Sequence, residues 1–135
     1  MAHFLTWEPR GVYAKCGGAC SGADVSRAFE GLSGAARCDD LHYVIFDYLD
    51  VAQVGITESE LETVAALDIG LAYSLPSLRV ASVATDEQVL AFWKRFVALE
   101  KMPGRHGVFP TVSAARDWLS HVTPTPSGDP PLHSL

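Results

Sequence analysis

Long hydrophobic runs are missing from this chain. No apolar stretch approaches the roughly 20 residues that a bilayer-crossing helix needs, so no membrane span is expected. Basic residues are also few, ten against sixteen acidic ones, for a net charge of −6. They are scattered, with only Lys94 and Arg95 adjacent. Phosphate contacts need clustered Lys and Arg, so no nucleic-acid partner is expected. The first nine residues, MAHFLTWEP, lack a basic stretch followed by an apolar core, and a secretory signal is not expected there. Three cysteines make an odd count, and without such a signal they read most simply as reduced thiols in a cytoplasm.

Several catalytic and cofactor strings are absent as well. There is no G-x-S-x-G elbow, no GxxxxGK[ST] phosphate loop and no His-x-x-x-His pair. The reading is therefore of a protein that is not an enzyme, with no catalytic residues, no cofactor and no metal site. What is present is a globular composition, 48% hydrophobic and 19% charged. At 135 residues the chain is long enough to bury about two thirds of its unfolded surface without staples. Residues 1–122 are expected to form a single domain. Residues 123–135, rich in proline and poor in apolar side chains, are expected to be a flexible tail.

The chain is organised around Tyr43-Val-Ile-Phe46, an unbroken β-branched and aromatic run. A strand covered on both faces looks like this, because neither face can be polar. Asp47 then falls at its carboxyl end, where open α/β sheets bind ligands, and an acidic exit loop carries Tyr48 and Asp50. The simpler reading of Asp47 is a loop carboxylate bonded to nearby backbone. Thr57-x-x-Glu60 is a capping box opening a long helix whose stripe is Leu61, Val64, Ala65, Leu71, Ala72 and Leu75, closed by Pro76.

Around this centre the other elements follow in order. Residues 3–7 and 12–16 read as a hairpin turning at Glu8-Pro-Arg-Gly11. The glycine-rich residues 17–22 read as a flexible link. Ser21 caps a helix with Val25, Ala28, Phe29 and Leu32 on one face, ended by Gly31 and Gly34. Residues 79–84 form a buried strand, and Thr85-x-x-Gln88 opens a helix with Val89, Phe92, Trp93, Phe96 and Val97 inward. The rings of Trp93 and Phe96 read as core, not as a stacking platform. A short strand at 106–109 precedes a helix capped by Thr111, with Ala115, Trp118, Leu119 and Val122 inside. The order is ββαβαβαβα, an α/β fold with mainly parallel strands joined by right-handed crossovers.

Three features invite chemistry. Cys16-Gly-Gly-Ala-Cys20 places two thiols on a glycine-rich turn near a helix start, where a thiol pKa falls and redox activity becomes an option. The spacing is CxxxC, not the CxxC of thioredoxin-like sites, and a strand thiol is usually an apolar filler. Zinc would need two more ligands, for which only Cys38 and His42 are near in sequence. Asp68 lies in the middle of an apolar stripe, where it either hydrogen-bonds a Tyr, His or backbone amide in the core, leans out at the stripe's edge, or serves as a polar anchor in a pocket between helix and sheet. The acids Asp47, Asp50, Glu58 and Glu60 could recruit a divalent cation, although their order matches no EF-hand and a solvated edge is the simpler reading. Asp39-Asp40 precede the same strand as Asp47, which excludes a receiver-type phosphoacceptor pocket.

With its elements laid out, residues 3–122 resemble the SpoIIAA-like family, the broad group that includes STAS domains. The resemblance rests on Gly11-Val-Tyr13, Asp40-Leu-His-Tyr43, Phe46-Asp47, Ala65-Ala-Leu-Asp68, Val83-Ala-Thr-Asp86 and Ala115-Arg-Asp-Trp-Leu119. It implies a mixed, mostly parallel five-stranded sheet with about four flanking helices, no catalysis, and regulatory protein contacts or small-ligand binding. STAS antagonists of anti-sigma factors switch partners by phosphorylation of a serine at the start of the second long helix. That serine follows an Asp and precedes a small residue. Here the matching stretch is Gly55-Ile-Thr-Glu-Ser59, where Ile56 and Glu58 depart from the pattern around Thr57. A phosphate on Thr57 would meet Glu58, Glu60, Asp47 and Asp50, with no Lys or Arg between Cys38 and Pro76. Thr57 therefore reads as a plain cap.

The candidate binding residues are Asp47, Tyr48, Asp50, Thr57, Glu58 and Asp68. The first expectation is a non-enzymatic, cytoplasmic interaction module using the start of the second helix. The second is a small-molecule binder with an apolar or lipid-like ligand beneath the second and third helices, and the third a thiol redox protein using Cys16 and Cys20. A homodimer is compatible with the apolar helix faces, though nothing in the sequence demands it.

Overall fold

The computed structural model describes residues 4–33, 41–100 and 105–122. The expectations for Gly34, Cys38, Asp39-Asp40 and the 123–135 tail fall outside them. The elements are β1 (Phe4–Glu8), β2 (Gly11–Ser21), α1 (Gly22–Ser33), β3 (Tyr43–Gly55), α2 (Glu58–Ser74), β4 (Arg79–Val83), α3 (Glu87–Glu100), β5 (His106–Phe109) and α4 (Val112–Val122). This is the expected ββαβαβαβα order.

One five-stranded sheet runs β1-β2-β3-β4-β5, so β3 is its centre. Only β1 is antiparallel to its neighbour; the remaining pairs are parallel. The strand order follows the chain order, and that has a consequence for the helices. Right-handed crossovers that always step in one direction place every connecting helix on the same face. Accordingly α1, α2 and α3 pack on one face through Phe29, Leu61 and Trp93 against Val44, Phe46 and Val80. The last helix is not a crossover and covers the opposite face, with Ala115, Trp118 and Leu119 against Ile45, Ala81 and Val83. Val44, Ile45 and Phe46 are fully buried because β3 is covered on both sides.

The larger core is aromatic. Phe46 lies 5.8 Å from Trp93, centroid to centroid, and Trp93 meets Phe96 edge-on at 4.9 Å. Offset and edge-to-face pairs add about 0.5–1.5 kcal/mol each beyond their buried area. The α3 stripe was legible for this reason: Val89, Phe92, Trp93 and Phe96 fall at helical spacing and all are buried.

Several boundaries differ from the sequence reading. The glycine-rich link is strand: β2 continues through residues 17–21 because β3 itself continues and pairs Gly17 with Asp50 and Ser21 with Gly55. The acidic exit loop is strand too, since β3 runs to Gly55 and Asp47 lies within it. Asp47 does mark where β4 ends, because its pairing with Val83 is the last of that ladder. Pairing across the sheet thus overrides local composition. At α3 the cap is Asp86, not Thr85: its Oδ1 accepts from the amides of Gln88 at 2.9 Å and Val89 at 3.3 Å. Ala84 is still held by its amide to Phe109 at 3.0 Å, which keeps the chain extended up to that point.

The other caps form as expected. Ser21 Oγ accepts from the Asp24 amide at 3.2 Å, and Asp24 Oδ2 accepts back from the Ser21 amide at 3.0 Å. Thr111 Oγ1 accepts from the Ala114 amide at 3.0 Å. Gly31 does not end α1, which carries on to Ser33.

Candidate functional site

The start of α2 is built by its capping box. Thr57 Oγ1 accepts from the Glu60 amide at 3.2 Å, and Glu60 Oε1 accepts from the Thr57 amide at 2.9 Å. Both hydrogen bonds satisfy amides that the first helical turn leaves open. Glu60 is therefore committed to the cap, while Glu58, Ser59 and Glu62 project into solvent. Glu58 is ion-paired with Arg95 of α3, both side chains more than half exposed. An exposed pair of this kind contributes little to stability. It can be exchanged for a partner's charges at small cost.

Beside this edge lies a groove of about 310 Å³, walled by Val54, Ile56, Leu61, Gln88, Ala91, Phe92 and Arg95. Adjoining it is a void of about 10 Å³ that shares Val54, Ile56 and Phe92 and is lined further by Cys20, Tyr48 and Trp93. A void of that size is about one water.

The six candidate residues do not converge on one site. Thr57 and Glu58 stand together on the groove edge. Asp47 is buried and faces the α4 side: Tyr13 donates its hydroxyl to Oδ2, and the Leu49 amide donates to Oδ1 at 3.0 Å. Burial, with the hydrogen bond to Asp47 next, pushes the Tyr13 phenol up to about 12. Asp50 is exposed and reaches Lys15 Nζ at 3.1 Å. Tyr48 lies in the aromatic core against Phe46 and Trp93, where burial holds its phenol well above its ordinary value.

Asp68 is fully buried in the core. Its Oδ1 accepts from Arg105 Nη2 at 3.2 Å, and its Oδ2 lies 2.8 Å from His106 Nε2. An ionised carboxylate only accepts, so His106 carries its proton on Nε2. Arg105 Nη1 also donates to the Leu78 carbonyl at 2.7 Å, which ties α2, the approach to β4 and the start of β5 together. Asp68 is thus engaged by core partners on both of its oxygens.

Two further features escaped the sequence. Arg116 of α4 forks onto Glu8 of β1 through Nη1 at 3.1 Å and Nη2 at 2.8 Å, and Tyr43 donates its hydroxyl to the same carboxylate. The guanidinium holds the Glu8 carboxyl below its ordinary value. Arg95, Gln88 and Phe92 of the groove are contributed by α3, more than thirty residues beyond Thr57; the sequence marks Gln88 as a cap and Phe92 as core, but no pattern places them beside Thr57. Cys16 and Cys20 are both buried, and the Cys20 thiol donates to the Ser21 carbonyl at 3.9 Å.

Among the described residues no helix is long and apolar enough to cross a membrane. No protein-family model matches the chain. No curated protein matches it either. Solved structures do. The anti-sigma factor antagonist SpoIIAA in its unphosphorylated form is 14% identical, with a TM-score of 0.56 over 88% of this chain and 98% of that one. An uncharacterised protein from Shewanella loihica with a SpoIIAA-like fold is 20% identical, with a TM-score of 0.51 over 87% of this chain and 92% of that one. The fold of this protein is SpoIIAA/STAS-like, as the sequence resemblance implied.

Proposed function

We propose that the protein is a non-enzymatic regulatory module that works by binding a partner protein through the acidic start of α2. The observation that carries this reading is the match to an anti-sigma factor antagonist over nearly the whole of both chains. Local chemistry supports it. Polar groups of the kind that serve catalysis are engaged in the fold: Asp68 holds Arg105 and His106, Asp47 holds Tyr13 and the Leu49 amide, and Thr57 caps α2. The first two turns of α2 leave Glu58, Ser59, Glu62 and Thr63 to solvent, an acidic face suited to a basic patch on a partner. Thr57 serves as a cap in this reading, and partner exchange does not depend on its phosphorylation. The module works in the cytoplasm.

The test is capture of partners from the native cell extract by wild-type protein and by a Glu58→Lys/Glu62→Lys variant, which leaves the capping-box Glu60 untouched. A partner retained by wild type and lost by the variant supports the reading. An identical set of partners refutes this face as the contact surface.

A second reading is favoured by the groove between α2 and α3. A cavity of about 310 Å³ with Ile56, Leu61 and Phe92 as apolar walls and Arg95 at its rim suits a small amphipathic ligand with an anionic group. Native mass spectrometry of freshly purified protein separates the two: a retained ligand mass favours the small molecule, and a bare chain mass favours the protein partner.

A further inference from the structure

The walls of the groove beside the start of α2 carry a single charge, that of Arg95. Val54, Ile56, Leu61 and Phe92 give the groove apolar sides, and Gln88 adds a side-chain amide. The same Arg95 is the ion-pair partner of Glu58, with side-chain exposures of 57% for the arginine and 59% for the glutamate. Water reaches both charges, so burial does not fix the pair. Glu60 does not compete for the guanidinium, because its Oε1 is held by the Thr57 amide at 2.9 Å. One arginine thus belongs both to an apolar groove and to a loosely held ion pair on the first turn of α2.

We propose that the groove binds a straight-chain carboxylate of about eight carbons, whose carboxylate takes Arg95 from Glu58. The proposal rests on the small-molecule reading of the groove given above, and adds to it the class of ligand and the side chain that the ligand displaces. Size points to the chain length. The groove volume of about 310 Å³ equals that of about ten liquid waters at about 30 Å³ each, and an eight-carbon acid has about ten non-hydrogen atoms. Charge points to the head group, because a carboxylate matches the guanidinium fork and the apolar walls leave no other charge to meet.

Magnitudes decide whether the exchange can run. An exposed ion pair is worth at most about fivefold in an equilibrium constant. Each methylene withdrawn from water favours binding by about fourfold. Two buried methylenes therefore outweigh the loss of the Glu58–Arg95 pair, whereas acetate, which has none, cannot displace Glu58. The exchange releases Glu58 to solvent beside Glu62, which is exposed one turn further along α2. A filled groove consequently leaves more uncompensated negative charge at the start of that helix.

The experiment is isothermal titration calorimetry of the full chain with octanoate, hexanoate, acetate and the neutral octan-1-ol. The wild type should bind octanoate at a single site, more tightly than hexanoate by up to about fifteenfold, and acetate not at all. Ala91→Trp, which fills the groove from an exposed wall position, should abolish binding of octanoate. Arg95→Gln should weaken octanoate to the level of octan-1-ol. Glu58→Gln removes the competing carboxylate and should tighten octanoate by up to about fivefold while leaving octan-1-ol unchanged. Glu62→Gln makes the same change of charge without touching the pair, and should have the smaller effect. Absence of octanoate and octan-1-ol binding, or binding that survives Ala91→Trp, would overturn the groove reading and the proposal with it. Octanoate binding that is lost in Ala91→Trp but unchanged or weaker in Glu58→Gln would keep the groove as a ligand site and overturn the exchange.

Discussion

Replacing Asp68 with alanine should cost this protein a large share of its stability. The carboxylate is fully buried and sits between Arg105, itself only 5% exposed, and the His106 ring. Removing it leaves a guanidinium charge in the core without its counterion. Breaking a buried pair on one side costs about 3–5 kcal/mol, more than the pair contributes relative to an apolar replacement. A domain of this size has only about 5–15 kcal/mol in total. At roughly 4 °C per kcal/mol, the midpoint of thermal unfolding should fall by about 12–20 °C. Urea unfolding, followed by tryptophan fluorescence, measures the change directly if the slope stays constant. The double variant Asp68→Ala/Arg105→Ala should recover part of the loss, with a coupling of about 1–3 kcal/mol. A loss below about 1 kcal/mol for Asp68→Ala would show that the charge is solvated or otherwise compensated, and the argument from burial would fail.

Other consequences follow from the same geometry. Thr57→Ala removes the acceptor for the Glu60 amide and should cost about 1 kcal/mol in urea unfolding, while Thr57→Ser should be neutral and both should keep partner capture. Gly22→Ala places a Cβ 2.4 Å from Glu60 Cβ, so α1 and α2 must move apart; overpacking of about 1–3 kcal/mol outweighs the gain of at most about 1 kcal/mol that alanine brings to a helix, and a net loss is expected in urea unfolding. The Glu8 carboxyl is held below its ordinary 4.5 by Arg116, so its stabilisation is complete above about pH 4.5 and is lost as pH falls through the lowered value. The stability difference between wild type and Glu8→Gln, from urea unfolding at stepped pH, should therefore be largest above that point and shrink on acidification; a difference that grows in acid would reverse the sign of the argument.

The sequence carried the element order, the caps and the inward stripes because these depend on neighbours three or four residues apart. Val44, Ile45 and Phe46 read as a covered strand, and they are its centre. The Thr57-x-x-Glu60 box formed as written. What was not legible depended on pairing across the fold. Gly17 and Gly18 look like a linker until Asp50 and Val51 lie beside them in β3. Asp68 announced itself as a polar residue in an apolar stripe, but its partners are 37 and 38 residues away and no pattern links them. The lack of basic residues around Glu58 was true of the segment and untrue of the fold, because α3 brings Arg95 to it. Asp47 and Thr57 were expected on one rim, yet alternation along β3 turns Asp47 to the α4 side, away from the α1–α3 layer to which α2 belongs.

Site-specific photocrosslinking in the native cell tests the central claim most directly. A photoreactive amino acid is placed at Ser59, exposed on the first turn of α2, and separately at Ser113, exposed at the start of α4 on the opposite face. A protein partner that docks on the acidic start of α2 gives a discrete crosslinked species from position 59 and none from position 113. Equal products from both positions, or a partner joined only through position 113, would contradict it.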